Sequence, residues 1–117
     1  MSQTTLSQFI NSSSTLPGSI QSHISREHYM REFKQVFGSQ EAKNASNVLY
    51  AFVCEKEIPR VKSKSNVVYI GKTKQTLSRR YLKYAETFCS PYNWAFYSHV
   101  IAHYGPVRIA YIPFDTA

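Results

Sequence analysis

Acidic side chains are scarce in this chain: seven Asp and Glu stand against fourteen Lys and Arg, for a net charge of +7. The nineteen residues from Asn66 to Tyr84, NVVYIGKTKQTLSRRYLKY, contain no acid at all. Cysteine is limited to Cys54 and Cys89, with no CxxC spacing and no neighbouring Cys/His set, so neither a zinc site nor a disulfide framework is signalled. Both read as small core residues. No apolar run approaches the roughly 20 residues that a bilayer span needs. The N-terminus lacks the basic start and apolar segment of a secretory signal, which gives the expectation of a cytoplasmic, intracellular protein with no membrane partner.

What remains is enough for one small domain. The 117 residues are 43% hydrophobic and 15% aromatic, more aromatic than a disordered chain would be. The positive charge is concentrated. Residues 54–84 hold nine Lys and Arg against Glu55 and Glu57, so this stretch carries the whole net charge and the other segments sum to zero. A basic patch of this kind points to a polyanion, with nucleic acid first and an anionic membrane surface second; the alternative is a solvated surface that keeps a small protein soluble.

Residues 1–21 are polar, with Pro17-Gly18 as a turn signal, and read as a loosely packed lead. Ile24, Tyr29, Phe33, Val36 and Phe37 then recur at helical spacing, with Ser25 as cap and Gly38 as stop. Residues 39–46 read as a polar linker. NVLYAFVC (Asn47 to Cys54) and NVVYI (Asn66 to Ile70) read as strands joined by a long charged hairpin loop. After Gly71 the period changes: Leu77, Tyr81, Tyr84 and Phe88 share one helical face behind a Thr76 cap. Ser90-Pro91 opens another helix, striped by Trp94, Tyr97, Ile101 and Tyr104, and Gly105-Pro106 ends it. VRIAYIPF (Val107 to Phe114) reads as a third strand. The expectation is an α+β fold: a small three-stranded sheet, mixed or antiparallel, flanked by helices, with residues 1–46 as an N-terminal helical extension and 47–117 as the core domain.

A glycine turn between a strand and a helix gathers backbone N–H groups and the positive end of a helix dipole, a natural place for a phosphate. Lys72 and Lys74 flank that turn, Arg80 and Tyr84 share one side of the helix, Tyr69 lies two residues before the glycine, and Tyr50 is on the partner strand. On spacing alone, each single tyrosine reads as a half-buried packing residue with a solvated hydroxyl.

Taken together, Val48-Leu49-Tyr50, Tyr69-Ile70-Gly71, the following Lys72-Thr73, and the run Leu77, Arg80, Tyr84 resemble the catalytic core of the GIY-YIG nuclease family. The continuation FYSHVIAHYGPVRIAYIPF fits that family's second helix, glycine and third strand. The resemblance covers roughly residues 47–114. It implies DNA cleavage by phosphodiester hydrolysis, with Tyr50, Tyr69, Lys72, Arg80 and Tyr84 catalytic. Tyr50 would act as base or place the attacking water, its phenol ionised with help from nearby cations; Arg80 and Tyr84 would hold the phosphate.

Lys62, Lys64, Lys74, Arg79 and Lys83 would contact the DNA. The resemblance also implies a divalent metal, Mg²⁺, held by a glutamate on a helix after the third strand. That glutamate has no counterpart before Ala117, where Asp115 is the only carboxylate, so the metal ligand is unassigned and the C-terminal part of the domain is expected to be missing. Glu86, two residues from Tyr84, falls on another helical face. The other reading, from a different class, is a DNA-binding module that grips the phosphate without cutting. His99 and His103, four apart on a helix, could share a metal but lack the glutamate of a metalloprotease motif. Tyr92, Trp94 and Tyr97 could stack on bases, although their helical spacing suits a core.

Overall fold

A computed structural model describes residues 13–59, 64–83 and 85–113. In chain order these form β1 (Ser14–Thr15), α1 (Arg26–Phe37), α2 (Gln40–Asn44), β2 (Val48–Pro59), β3 (Lys64–Thr73), α3 (Leu77–Leu82), α4 (Ala85–Phe88), α5 (Pro91–Tyr104) and β4 (Arg108–Pro113). The fold is α+β, with the strands ordered β1-β4-β2-β3 and every neighbouring pair antiparallel.

β2 is central because its sequence can be buried on both sides. Val48, Tyr50, Phe52 and Cys54 alternate toward the helices and join the main core, while Ala51 and Val53 face the other way with Val67 and Ala110. The β2–β3 register places Tyr50 opposite Gly71 and Phe52 opposite Tyr69, and the register shifts after Phe52 as the hairpin runs outward.

The helices begin where short polar side chains accept free N–H groups. Ser25 caps α1 by accepting from the His28 amide at 3.3 Å, Thr76 caps α3 by accepting from Arg79 at 3.1 Å, and Ser90 caps α5 ahead of Pro91. Tyr29, Phe33, Val36 and Phe37 line the buried side of α1 and pack with Tyr50, Phe52 and Tyr81 in one continuous cluster. Packing therefore does not divide at residue 46: the extension and the core domain share their interior.

Three expectations are corrected. The sheet has four strands, because part of the lead is ordered. Ser14 and Thr15 pair with Tyr111 and Ala110, Ile20 bridges Val107, and Leu16 and Ile20 are buried. The Glu32 carboxylate fastens this segment to α1, accepting from the amides of Gln21 and Ser22 and from the Ser22 hydroxyl, each at 2.9 Å. Second, the 39–46 linker contains α2, capped by Ser39 and anchored by the fully buried Ala42. Third, the single helix expected after Thr76 is two. α3 stops at Leu82 without a proline or glycine, and α4 is held instead by tertiary contact: Arg26 Nε donates to the Cys89 carbonyl at 2.6 Å. Among the described residues no helix is long and apolar enough to cross a membrane.

Candidate functional site

Gly71 lies inside β3 rather than at a turn, and the bend follows at Lys74 and Gln75. The expected glycine cradle for a phosphate is therefore absent. The glycine is required for a different reason. A Cβ at Gly71 would overlap Cζ and the hydroxyl oxygen of Tyr50, whose ring crosses directly over it. The pairing that places Tyr50 opposite Gly71 leaves room for an aromatic ring on the helix side of the sheet. One pair along, Tyr69 covers Phe52, with ring centroids 5.9 Å apart and planes at 78°. Tyr69 is 46% exposed and Tyr50 only 1%, so Tyr69 reaches the surface and Tyr50 is buried behind it.

α3 supplies the wall. Its Thr76 cap fixes the first turn, and one turn later Tyr81 points into the core against Phe37, with centroids 4.5 Å apart and planes at 26°. The Tyr81 hydroxyl donates to the Tyr50 hydroxyl at 2.6 Å, and the two rings meet edge to face at 5.5 Å. Arg80, one residue earlier, lies with its guanidinium carbon 5.7 Å from the Tyr81 ring centre and hydrogen-bonds with the Tyr50 side chain. From α5, Tyr97 packs on Phe52, with ring centroids 5.9 Å apart. The site is thus a packed cluster of phenols with one guanidinium at its side.

Burial sets the protonation of these phenols. It pushes Tyr50 above the ordinary value of 10.0; the hydrogen bond from Tyr81 and the charge of Arg80 lower it again, but not fully. Tyr81 is raised much further, first by burial and then because its proton is engaged with Tyr50. Burial likewise raises Tyr97. The expectation that nearby cations hold Tyr50 ionised is corrected: desolvation outweighs them, and the hydroxyls are neutral donors and acceptors at physiological pH. Because the Tyr50 oxygen accepts from Tyr81 and faces the Arg80 guanidinium, which can only donate, its own proton is left for another acceptor.

The structure brings together Tyr50, Tyr69 and Arg80 from the expected set. Lys72 pairs with Leu49, on the opposite sheet face from Tyr50, and its side chain is exposed. Lys74, Arg79 and Lys83 are also exposed, along the bend and α3. Tyr84 and Lys62 lie outside the described residues, as does the side chain of Lys64. Tyr81 is the residue that sequence reasoning missed. It was read as part of an apolar stripe, and its partner is 31 residues away. Only the two tyrosines in a row of core positions could have hinted that their hydroxyls needed each other.

Trp94 and Tyr97 take core positions beside Tyr29, whereas Tyr92 is exposed. The His103 ring nitrogen Nδ1 lies 2.9 Å from the His99 carbonyl oxygen, and the two imidazoles sit 4.2 Å apart. Among the described residues no three His, Cys, Asp or Glu side chains gather where they could hold a metal ion. Glu55 is committed to the far end of β2, against Gly105. The donor set around Tyr50, phenols and a guanidinium, does not fit Mg²⁺, which takes carboxylate and other hard oxygen ligands. Comparison of the chain with protein-family models, curated proteins and solved structures finds no match.

Proposed function

We propose that this protein is an intracellular DNA endonuclease of the GIY-YIG type, in which Tyr50, Tyr69 and Arg80 receive one phosphodiester. The observation that carries this reading is the meeting of Tyr50 from β2, Tyr69 from β3 and Arg80 from α3 around a hydroxyl that accepts from Tyr81. Arg80 neutralises the phosphate and offers it a planar pair of donors. Tyr50 donates its own proton to a phosphate oxygen or orients water beside it. Should Tyr50 lose that proton during attack, Tyr81 and Arg80 are the groups that stabilise the phenolate. Lys74, Arg79 and Lys83 supply the surrounding positive field. A divalent metal would stabilise the leaving oxygen in such a reaction. The described residues do not provide its ligands, and no step is assigned to it.

A second reading, a DNA-binding module that does not cut, is favoured by one observation: the phenols are held protonated, which suits gripping a phosphate better than abstracting a proton. Supercoiled plasmid incubated with Mg²⁺ separates the two. Nicking that disappears in Arg80→Ala supports the nuclease; salt-sensitive binding with no nicking supports the module; no binding even in dilute buffer overturns both.

A further inference from the structure

α5 carries more rings than its core role uses. Trp94, Tyr97, Val100, Ile101 and Tyr104 face inward and satisfy the packing. At about 100° per residue, Tyr92, Phe96, His99 and His103 fall together in a wedge of about 60° beside that buried stripe. Tyr92 is 83% exposed and Phe96 49%, and both histidines are exposed. The other outward positions of the helix hold small residues, among them Ala95, Ser98 and Ala102. Four aromatic rings in one solvent-facing row are therefore separate from the core stripe and are not required by it.

We propose that this row is a stacking platform for unpaired nucleotides of the DNA strand held at Tyr50, Tyr69 and Arg80; the inference rests on the DNA reading given above. Three observations favour unpaired bases over other occupants. First, the row is aromatic throughout, with a phenol and two imidazoles and no Leu, Ile or Met, a composition that suits π-faces with polar edges rather than a lipid or an apolar peptide. Second, the sequence from Thr87 to Phe114 has no acid, so a polyanion drawn in by the basic residues of β3 and α3 meets no repulsion on α5. Third, the helical rise sets Tyr92 and Phe96 about 6 Å apart along the axis, wider than the about 3.4 Å stack of a duplex strand, so each ring can take a base only from a strand whose bases have come apart.

The platform is also connected to the site. Phe96 stands edge-on to Tyr97 at 5.0 Å and 89°, Tyr97 packs on Phe52, and Phe52 supports the half-exposed Tyr69. The ring contacts run without a gap from the phosphate site to the outer face of α5. The substrate class that follows is DNA with a single-stranded portion next to the gripped phosphate, not a fully paired duplex.

The test compares the wild-type chain with a Tyr92→Ala/Phe96→Ala double variant, both checked for an unchanged thermal melt. Binding is read by fluorescence anisotropy on a labelled oligothymidine of about a dozen nucleotides and on a labelled hairpin duplex closed by a non-nucleotide linker, so that every base is paired. The double variant should lose about tenfold to several hundredfold on the oligothymidine and stay within about twofold on the hairpin. Equal affinity of the two proteins for the oligothymidine overturns the platform. If the wild type still binds the hairpin in a salt-sensitive, Arg80-dependent way, the DNA reading survives that failure. Absence of binding to either probe sinks the DNA reading and the platform together. A wild-type dimer that becomes a monomer in the double variant, with oligothymidine binding unchanged, assigns the row to a second copy and overturns the inference.

Discussion

The hydroxyl of Tyr81 donates to the hydroxyl of Tyr50 at 2.6 Å in a buried contact that joins α3 to the central strand. One side chain is shaped by a helix cap and the other by a strand register, so the bond reports whether both elements are in place. Replacing Tyr81 with Phe keeps the ring stack on Phe37 and removes only the donor. The expected loss is about 1–3 kcal/mol, because the Tyr50 oxygen loses its buried Tyr81 donor. Chemical denaturation should show a lower midpoint with an unchanged slope. A midpoint equal to wild type would mean that the bond contributes nothing.

Arg80 and Arg79 are adjacent but differently placed. Arg79 is exposed, while Arg80 is half-buried over Tyr81 and beside Tyr50. Arg80→Ala is expected to weaken DNA binding about tenfold or more and Arg79→Ala about two- to threefold, as measured by gel retardation in dilute buffer. Equal losses would remove the reason for placing the phosphate at Arg80.

Gly71→Ala introduces a methyl group where the Tyr50 ring lies. Overpacking of this kind costs about 1–3 kcal/mol, and here the obstacle is the far end of a ring already tied to Tyr81. The cost should shrink when Tyr50 is shortened to Leu: in a double-mutant cycle, Gly71→Ala should destabilise less in that background than in wild type. A purely additive cycle would refute the ring overlap as the reason for glycine.

Alkaline pH should unfold the protein. Burial raises Tyr29, Tyr50, Tyr81 and Tyr97 above the ordinary 10.0 and the Cys89 thiol from 9.0 to about 11. Groups raised on folding contribute their stability in full below the unfolded values. Above them the unfolded chain releases protons that the folded chain retains, so stability falls as pH rises from about 9 upward. Each tyrosine adds a slope of about 1.4 kcal/mol per pH unit once the unfolded phenol is ionised. Melting temperature followed from pH 7 to 11 should be flat at first and then fall steeply. A flat profile throughout would contradict the burial of these hydroxyls.

The features that sequence alone revealed are those governed by neighbouring residues. Ser25 and Gly38 bound α1, Thr76 opens α3, and Ser90-Pro91 and Gly105 bound α5, because a cap is a contact between residues a few positions apart. The hairpin strands were legible in type but short in extent: β2 runs on to Pro59 and β3 to Thr73, since ladder pairing continues beyond the apolar run. Distant pairings were not legible. The two residues of β1 have no strand pattern, and their pairing with Tyr111 and Ala110 is a contact between residues nearly a hundred positions apart. Lys72 and Gly71 were read together as one phosphate cradle, whereas strand alternation separates them onto opposite faces. Tyr81 was hidden because its stripe is correct and only its oxygen is unusual.

β4 lies between β1 and β2, so the last of the described strands occupies an interior place in the sheet. On a ribosome, the β2–β3 hairpin can pair as soon as it emerges, but one flank of β2 must wait until Arg108–Pro113 has been made. During that interval Tyr50 and Phe52 sit on a strand with an open side. β1, made earlier, has no strand partner among the described residues until β4 arrives. The two ends of the described chain therefore complete the sheet together, and a nascent chain halted before β4 should be markedly more sensitive to protease than one halted after it.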